Sequence, residues 1–176
     1  MHDPLWIFAY GSLIFRPGFP YCDRVSGAVV GYERRFWQAS VDHRGTPEQP
    51  GRVVTLVAAT GTSCGGVAYR VREEDRERVL SELEQRERGG YSLCVLPFAA
   101  PVLNAVRGPA QVVCYVALPE NPQYVGPEDE QHTAAIIAHA HGPSGANVEY
   151  LHKLDQALRA ISVSDEHVAR LVTLLA

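Results

Sequence analysis

Runs of β-branched and aromatic residues fill the first two thirds of the chain, and glycines and prolines separate them. Such a pattern is typical of strands bounded by turns. It predicts six strands, at residues 5–10, 26–41, 52–58, 66–71, 91–98 and 111–118. The second strand is long enough to bend, and Gly27 and Gly31 supply positions for a β-bulge.

Helical periodicity replaces this pattern after Pro119. Apolar residues spaced for one helix face predict helices at residues 128–141, 147–161 and 165–175. One earlier helix, at residues 73–86, is rich in helix formers and is stopped by Gly89-Gly90. Strands followed by helices indicate an α+β fold rather than a doubly wound sheet. Six strands with glycine kinks could curl into a small barrel, although the pattern alone leaves closure open.

Length and charge narrow the class of protein. A chain of 176 residues predicts one domain, residues 1–176. Its net charge of −4 does not indicate the basic surface that nucleic-acid binding requires. The sequence contains neither an apolar run long enough to span a membrane nor a signal peptide. Its four cysteines are far apart and form no CxxC pair. We therefore expect a soluble cytoplasmic protein with reduced thiols and without an obligate protein partner.

The first candidate for chemistry is Tyr10-Gly11-Ser12-Leu13, which follows the apolar run of the first predicted strand. A glycine here allows the backbone to present N–H groups outward, and such a group of donors binds a carboxylate or an oxyanion. A tight turn at a strand end is the structural alternative, and the motif alone favours that alternative.

The second candidate is Glu87, in Arg86-Glu87-Arg88-Gly89-Gly90-Tyr91. Glu87 follows Leu83 by four residues and Leu80 by seven, which predicts that it shares their buried helix face. Burial and the negative end of the helix dipole both raise a carboxyl pKa, which suits a group that accepts and returns a proton. A frayed, solvated helix end is an equally good interpretation of these residues alone.

Tyr150 precedes Leu154 by four residues, so its ring is predicted to point inward, where a phenol usually finds a hydrogen-bond partner. That partner could be structural or a ligand. The histidines and cysteines have no metal-binding spacing, and no P-loop, dinucleotide motif or nucleophile elbow occurs. The sequence thus disfavours an enzyme that depends on a nucleophilic side chain, a metal or an organic cofactor.

Taken together, the motifs resemble the ChaC family, the glutathione-specific γ-glutamylcyclotransferases. The matching stretches run in order over nearly the whole chain, at residues 8–14, 34–38, 43–47, 50–56, 66–70, 86–91, 121–127, 142–145 and 149–151.

The resemblance implies a γ-glutamylcyclotransferase-like fold, which is a small mixed β-barrel with flanking α-helices. It also implies Glu87 as the catalytic acid and base, and Tyr10, Gly11, Ser12 and Leu13 as the cradle of the γ-glutamyl group. Tyr150 matches the family's tyrosine on the substrate side. Ser40 and Arg44 are candidates for contacts with the cysteinylglycine half.

The implied reaction converts glutathione into 5-oxoproline and cysteinylglycine by attack of the substrate's own α-amine on its γ-amide. Two alternatives stay open: a cyclotransferase for other γ-glutamyl compounds, and a catalytically idle module that binds γ-glutamyl groups.

Overall fold

Five strands close into a barrel in a computed structural model that describes residues 4–86, 90–100 and 108–176. The spatial order is β1-β3-β2-β4-β5, and the strands are β1 (Trp6–Ala9), β2 (Asp23–Ser40), β3 (Gly51–Arg70), β4 (Ser92–Ala99) and β5 (Gln111–Val116). Neighbours are antiparallel except β1 and β5, which close the barrel in parallel through Ile7 and Val113. The predicted α+β class and mixed barrel are confirmed.

The third and fourth predicted strands, residues 52–58 and 66–71, are one strand, so the prediction of two was wrong. β3 pairs with β2 along a long hairpin, and the ladder passes over the glycine-rich segment through a register shift between Val30 and Tyr32. Gly31 and Gly61, both with positive φ, take up this bulge. Glycines that would usually form a turn therefore form a β-bulge within the β2–β3 ladder.

Gly27 is not a bulge position, contrary to the prediction. It stays in register opposite Gly66, and a Cβ at Gly27 would lie 2.4 Å from the Phe98 ring. The missing side chain allows close approach of β2 and β4 instead of a kink.

Helices flank the barrel. They are α1 (Arg76–Arg86), α2 (Glu130–His139), α3 (Asn147–Ala160) and α4 (Glu166–Leu174). The predicted first helix begins as a 3-10 turn, Glu73–Asp75, and the second ends early because β6 (His141–Gly142) pairs with β7 (Gly145–Ala146). None of the helices within the described ranges combines the length and apolar character needed to cross a bilayer.

One buried asparagine fixes α3 against the barrel. The side chain of Asn147 accepts a hydrogen bond from Arg52 N (2.6 Å) and donates one to Arg52 O (2.8 Å). Both polar ends of the amide are satisfied by β3, so the first turn of α3 has a defined position. This contact places Tyr150, one turn later, over the barrel.

Candidate active site

A cavity of about 520 Å³ lies between the end of β1, the inner face of β2, the loop after β2 and the start of α3. The sequence predicted seven binding residues, and all of them line this cavity: Tyr10, Gly11, Ser12, Leu13, Ser40, Arg44 and Tyr150. Residues up to 140 positions apart in the chain are thus brought to one concavity.

The glycine turn, residues 10–13, leads from β1 into a 3-10 turn, Ser12–Ile14. Arg34 fixes its start by donating from Nε to Tyr10 O (2.7 Å). The Tyr10 hydroxyl donates to Tyr115 O (2.8 Å), so this side chain also anchors the turn to β5. The first amides of a helical turn have no acceptor within the turn. The first backbone hydrogen bond of this turn runs from Ile14 N to Gly11 O (3.0 Å), which leaves the N–H groups of Ser12 and Leu13 as candidates for binding an anionic oxygen.

A side chain at Gly11 would obstruct the site. An added Cβ would lie 2.9 Å from Val54 Cγ2 and 3.1 Å from the Tyr150 hydroxyl oxygen. The glycine is therefore required by close approach, and the same geometry puts the Tyr150 hydroxyl beside the turn.

Tyr150 is buried, with 5% of the residue exposed. Its ring packs edge-on against Phe36 and Phe15, with ring centroids 5.9 Å and 6.3 Å away. The Arg44 guanidinium carbon lies 5.8 Å from the Tyr150 ring centroid. Two aromatic contacts and the Arg44 guanidinium surround the ring, and its burial agrees with the inward orientation predicted from the helix spacing.

Arg44 is held in the loop that joins β2 to β3. Its backbone N–H donates to Ser40 Oγ (2.9 Å), and its Nη1 donates to Ala146 O (3.1 Å). Glu149 Oε2 lies 3.9 Å from the same nitrogen. Ser40 therefore orders the loop as well as lining the cavity, and Arg44 presents a positive charge beside Tyr150.

Glu87 lies outside the described residues. On either side of it, Arg86 and Tyr91 line the cavity, and Arg86 Nη2 donates to Ser12 Oγ (3.0 Å). The buried residues of α1 are Val79 and Leu83, and Leu80 is partly buried, which agrees with the predicted apolar face of this helix.

Among the described residues that line the cavity, the charged ones are mainly positive. Arg16, Arg44 and Arg86 contribute to this part of the wall, against one carboxylate, Asp42. This balance suits an anionic small molecule. Within the described part of the chain, no three His, Cys, Asp or Glu side chains come together as a metal ion would need.

Burial raises the pKa of the Cys64 thiol to about 11, despite the opposing charge of Arg34. Burial also raises the pKa of Cys94. Both thiols are protonated near neutral pH, so neither is an activated nucleophile.

Sequence reasoning missed Gln38 as a site residue. It lines the cavity and is 1% exposed, although its side chain is polar. The available signal was strand alternation, which puts Phe36, Gln38 and Ser40 on the same face of β2. Residues 34–38 match the family, but the motif by itself assigns no role to Gln38.

Comparison with known proteins finds relatives that match nearly the whole chain. The family model described as ChaC-like protein matches residues 5–176. Gamma-glutamylcyclotransferase 2-3 of Arabidopsis thaliana is 42% identical over 95% of this chain and 86% of the relative. Glutathione-specific gamma-glutamylcyclotransferase 1 of Homo sapiens is 43% identical over 97% of this chain and 78% of the relative.

A crystal structure of a gamma-glutamyl cyclotransferase specific to glutathione from yeast superposes with a TM-score of 0.89. It shares 30% identity, and the match covers 99% of this chain and 96% of the yeast chain. The family model and the relatives match nearly the whole chain, and the chain belongs to the ChaC-like protein family.

Proposed function

We propose that this chain is a γ-glutamylcyclotransferase that converts glutathione into 5-oxoproline and cysteinylglycine. The observation that carries the proposal is the cavity in which the glycine turn, Tyr150 and Arg44 meet, with both flanks of Glu87 in its wall. Relatives over nearly the whole chain bear the name of this activity. The site supports a small anionic substrate with two polar ends.

In this reaction the α-amine of the γ-glutamyl group attacks its own γ-carbonyl carbon. A C–N bond forms to close the five-membered ring, and the γ-amide C–N bond breaks. Nucleophile and electrophile belong to one molecule, so the protein chiefly selects the conformation in which they meet, an effect worth up to several kcal/mol.

Glu87 carries the proton in this proposal. The α-ammonium must lose a proton before the nitrogen can attack, and the departing amide nitrogen must gain one. A single carboxylate can take the first proton and return it to the leaving nitrogen, contributing on the order of 100-fold or more.

The remaining residues orient the substrate. The N–H groups of the glycine turn hold an oxygen of the γ-glutamyl moiety, and the Tyr150 hydroxyl beside Gly11 contacts the same end. Arg44, fixed through Ser40, holds the cysteinylglycine half by its charge. No metal or organic cofactor enters this scheme. We further propose that the chain acts as one domain in the cytoplasm, where glutathione keeps thiols reduced.

The test is incubation with glutathione and detection of 5-oxoproline and cysteinylglycine, using wild-type protein and Glu87→Gln. The variant removes the titratable group but keeps its size, so turnover should fall at least about 100-fold. Glutathione binding measured by calorimetry should change little. Glu84→Gln, at an exposed position on α1, is the matched control and should retain activity.

Near-normal release of 5-oxoproline by Glu87→Gln would remove Glu87 from the mechanism. Release from other γ-glutamyl compounds but not from glutathione would favour the broader cyclotransferase. Glutathione binding without any product would favour the idle binding module.

A further inference from the structure

The Gln38 side chain is buried and has no hydrogen-bond partner for either amide atom among the described residues. The residue is 1% exposed, and both its Nε2 and its Oε1 lack a partner there. Buried polar side chains in native proteins are nearly always paired, because an unpaired one loses its hydrogen bonds to water without replacement. Without a partner, the Gln38 amide lowers the stability of the folded protein. A ligand that forms hydrogen bonds with this amide would offset that loss.

The surroundings of Gln38 indicate that this amide is held for a ligand. It lines the cavity and lies on the same face of β2 as Phe36 and Ser40. Its backbone is fixed on both sides, opposite Val53 in β3 and in a bridge to Tyr124. A fixed backbone gives the side chain a defined direction, so it is preorganised rather than loosely packed.

Gln38 lies between the two ends of the proposed site. Phe36, two residues before it, packs against Tyr150, whose hydroxyl is beside Gly11. Ser40, two residues after it, anchors Arg44. Residues two apart on a strand are separated by about 7 Å. One face of β2 thus passes from the γ-glutamyl end, through Gln38, to the cysteinylglycine end.

The middle of the proposed substrate is an amide, which can form a hydrogen bond with the side-chain amide of Gln38. A γ-glutamyl peptide has a γ-amide between its two ends, with one carbonyl acceptor and one N–H donor. A glutamine side chain has the complementary donor and acceptor on adjacent atoms. The carbonyl and the N–H of a trans amide point in opposite directions, so one glutamine side chain reaches one of them, and its NH2 group can donate to the carbonyl oxygen.

We propose that Gln38 binds the γ-amide of the substrate, with Nε2 donating a hydrogen bond to the γ-carbonyl oxygen. This inference rests on the proposed function. The hydrogen bond to oxygen strengthens as the carbonyl becomes tetrahedral and gains negative charge during ring closure. Gln38 is then both a specificity-determining residue and a contributor to the rate.

The test replaces Gln38 with Met, which has a similar length and no amide, and with Leu in parallel. Gln111→Met is the matched control, because Gln111 is exposed on β5 and outside the cavity lining. The thermal midpoint of each ligand-free protein, and kcat and KM for 5-oxoproline release from glutathione, are measured.

We expect opposite effects on stability and activity. Removing an unpaired buried amide should raise the ligand-free midpoint by about 3–6 °C for at least one Gln38 variant. The kcat should fall about 10- to 100-fold, because the lost bond is strongest in the transition state. The control should change neither.

Each other outcome is decisive. Wild-type protein that releases no 5-oxoproline from glutathione overturns the proposed function, and this inference with it. With an active wild type, unchanged kcat or a rise in KM alone overturns the assignment to the γ-amide. Midpoints lowered in both Gln38 variants show that the amide is a structural group and overturn the inference while leaving the proposed function intact.

Discussion

At the scale of single residues, the site depends on how closely Gly11 and Tyr150 approach each other. The hydroxyl of Tyr150 lies 3.1 Å from the position that a Gly11 Cβ would occupy. The phenol is therefore at the glycine turn itself, where the γ-glutamyl end is proposed to bind. Its ring is already fixed by Phe36 and Phe15, so the hydroxyl can be removed without loss of packing.

Tyr150→Phe tests the role of this hydroxyl. If it contacts the substrate, its loss should raise KM for glutathione about 5- to 20-fold, the effect of one hydrogen bond. Steady-state assays of 5-oxoproline release check this. Tyr21→Phe, at a residue 40% exposed and outside the cavity lining, is the control. Unchanged KM and kcat would return Tyr150 to a structural role.

At the scale of elements, one histidine joins α4 to the barrel. His167 is buried, and its Nε2 accepts from the Phe36 backbone N–H (3.1 Å). Its Nδ1 lies 2.9 Å from Glu130 Oε1 on α2, so a ring with its proton on Nδ1 satisfies both neighbours. Protonation of Nε2 would break the contact with β2.

This contact predicts a pH-dependent stability. Burial lowers the pKa of His167 below its ordinary value of 6.5, and the charge of Arg35 adds to this, although Glu130 and Asp165 oppose it. As the pH falls below about 6.5, the unfolded chain takes up a proton at this residue before the folded chain does. The His167 contribution is therefore complete above that pH and declines below it.

Thermal midpoints of wild type, His167→Gln and the exposed-site control His152→Gln, measured from pH 7.5 to pH 5.5, check this prediction. His167→Gln should cost about 1 kcal/mol at pH 7.5 and should show a smaller fall in midpoint towards pH 5.5. The control should follow the wild-type curve. Parallel curves for wild type and His167→Gln would contradict the prediction.

At the scale of the whole molecule, Arg34 connects the barrel, the glycine turn and the helical layer. Its guanidinium is fully buried and forms an ion pair with Asp165, which also caps α4 by accepting from Val168 N. Its other nitrogens donate to Tyr10 O and Gly65 O. One side chain therefore holds β1, β3 and α4 in a fixed arrangement around the site.

Arg34→Met should destabilise the protein by about 3–5 kcal/mol, because it leaves Asp165 and two carbonyl oxygens without their buried donor. Urea unfolding measures this loss. Arg35→Met is a neighbouring control, since Arg35 pairs with Glu33 at a part-exposed position, and should cost less than about 1 kcal/mol. Equal losses in the two variants would contradict a special role for Arg34.

Much of the local structure could be predicted from the sequence. The helices at α3 and α4, the inward ring of Tyr150 and the bulge at Gly31 follow from periodicity and from glycine conformation. The single strand β3 could not be predicted, because its interior glycines are typical of a turn and only pairing with β2 continues the strand through them. Glu87 as the catalytic group stays a prediction.

By itself, the sequence determined the types of element, their order, the inward and outward faces, and motifs specific enough to identify the family. Only the tertiary structure decided that Ile7 meets Val113 to close the barrel, and that Gly11, Arg44 and Tyr150 surround one cavity. The physical reason is the separation of these residues along the chain. Periodicity reports which face of an element is buried, whereas these contacts join residues far apart in the chain. The unpaired amide of Gln38 belongs to the same class, because a lack of partners is a property of its surroundings and not of its sequence.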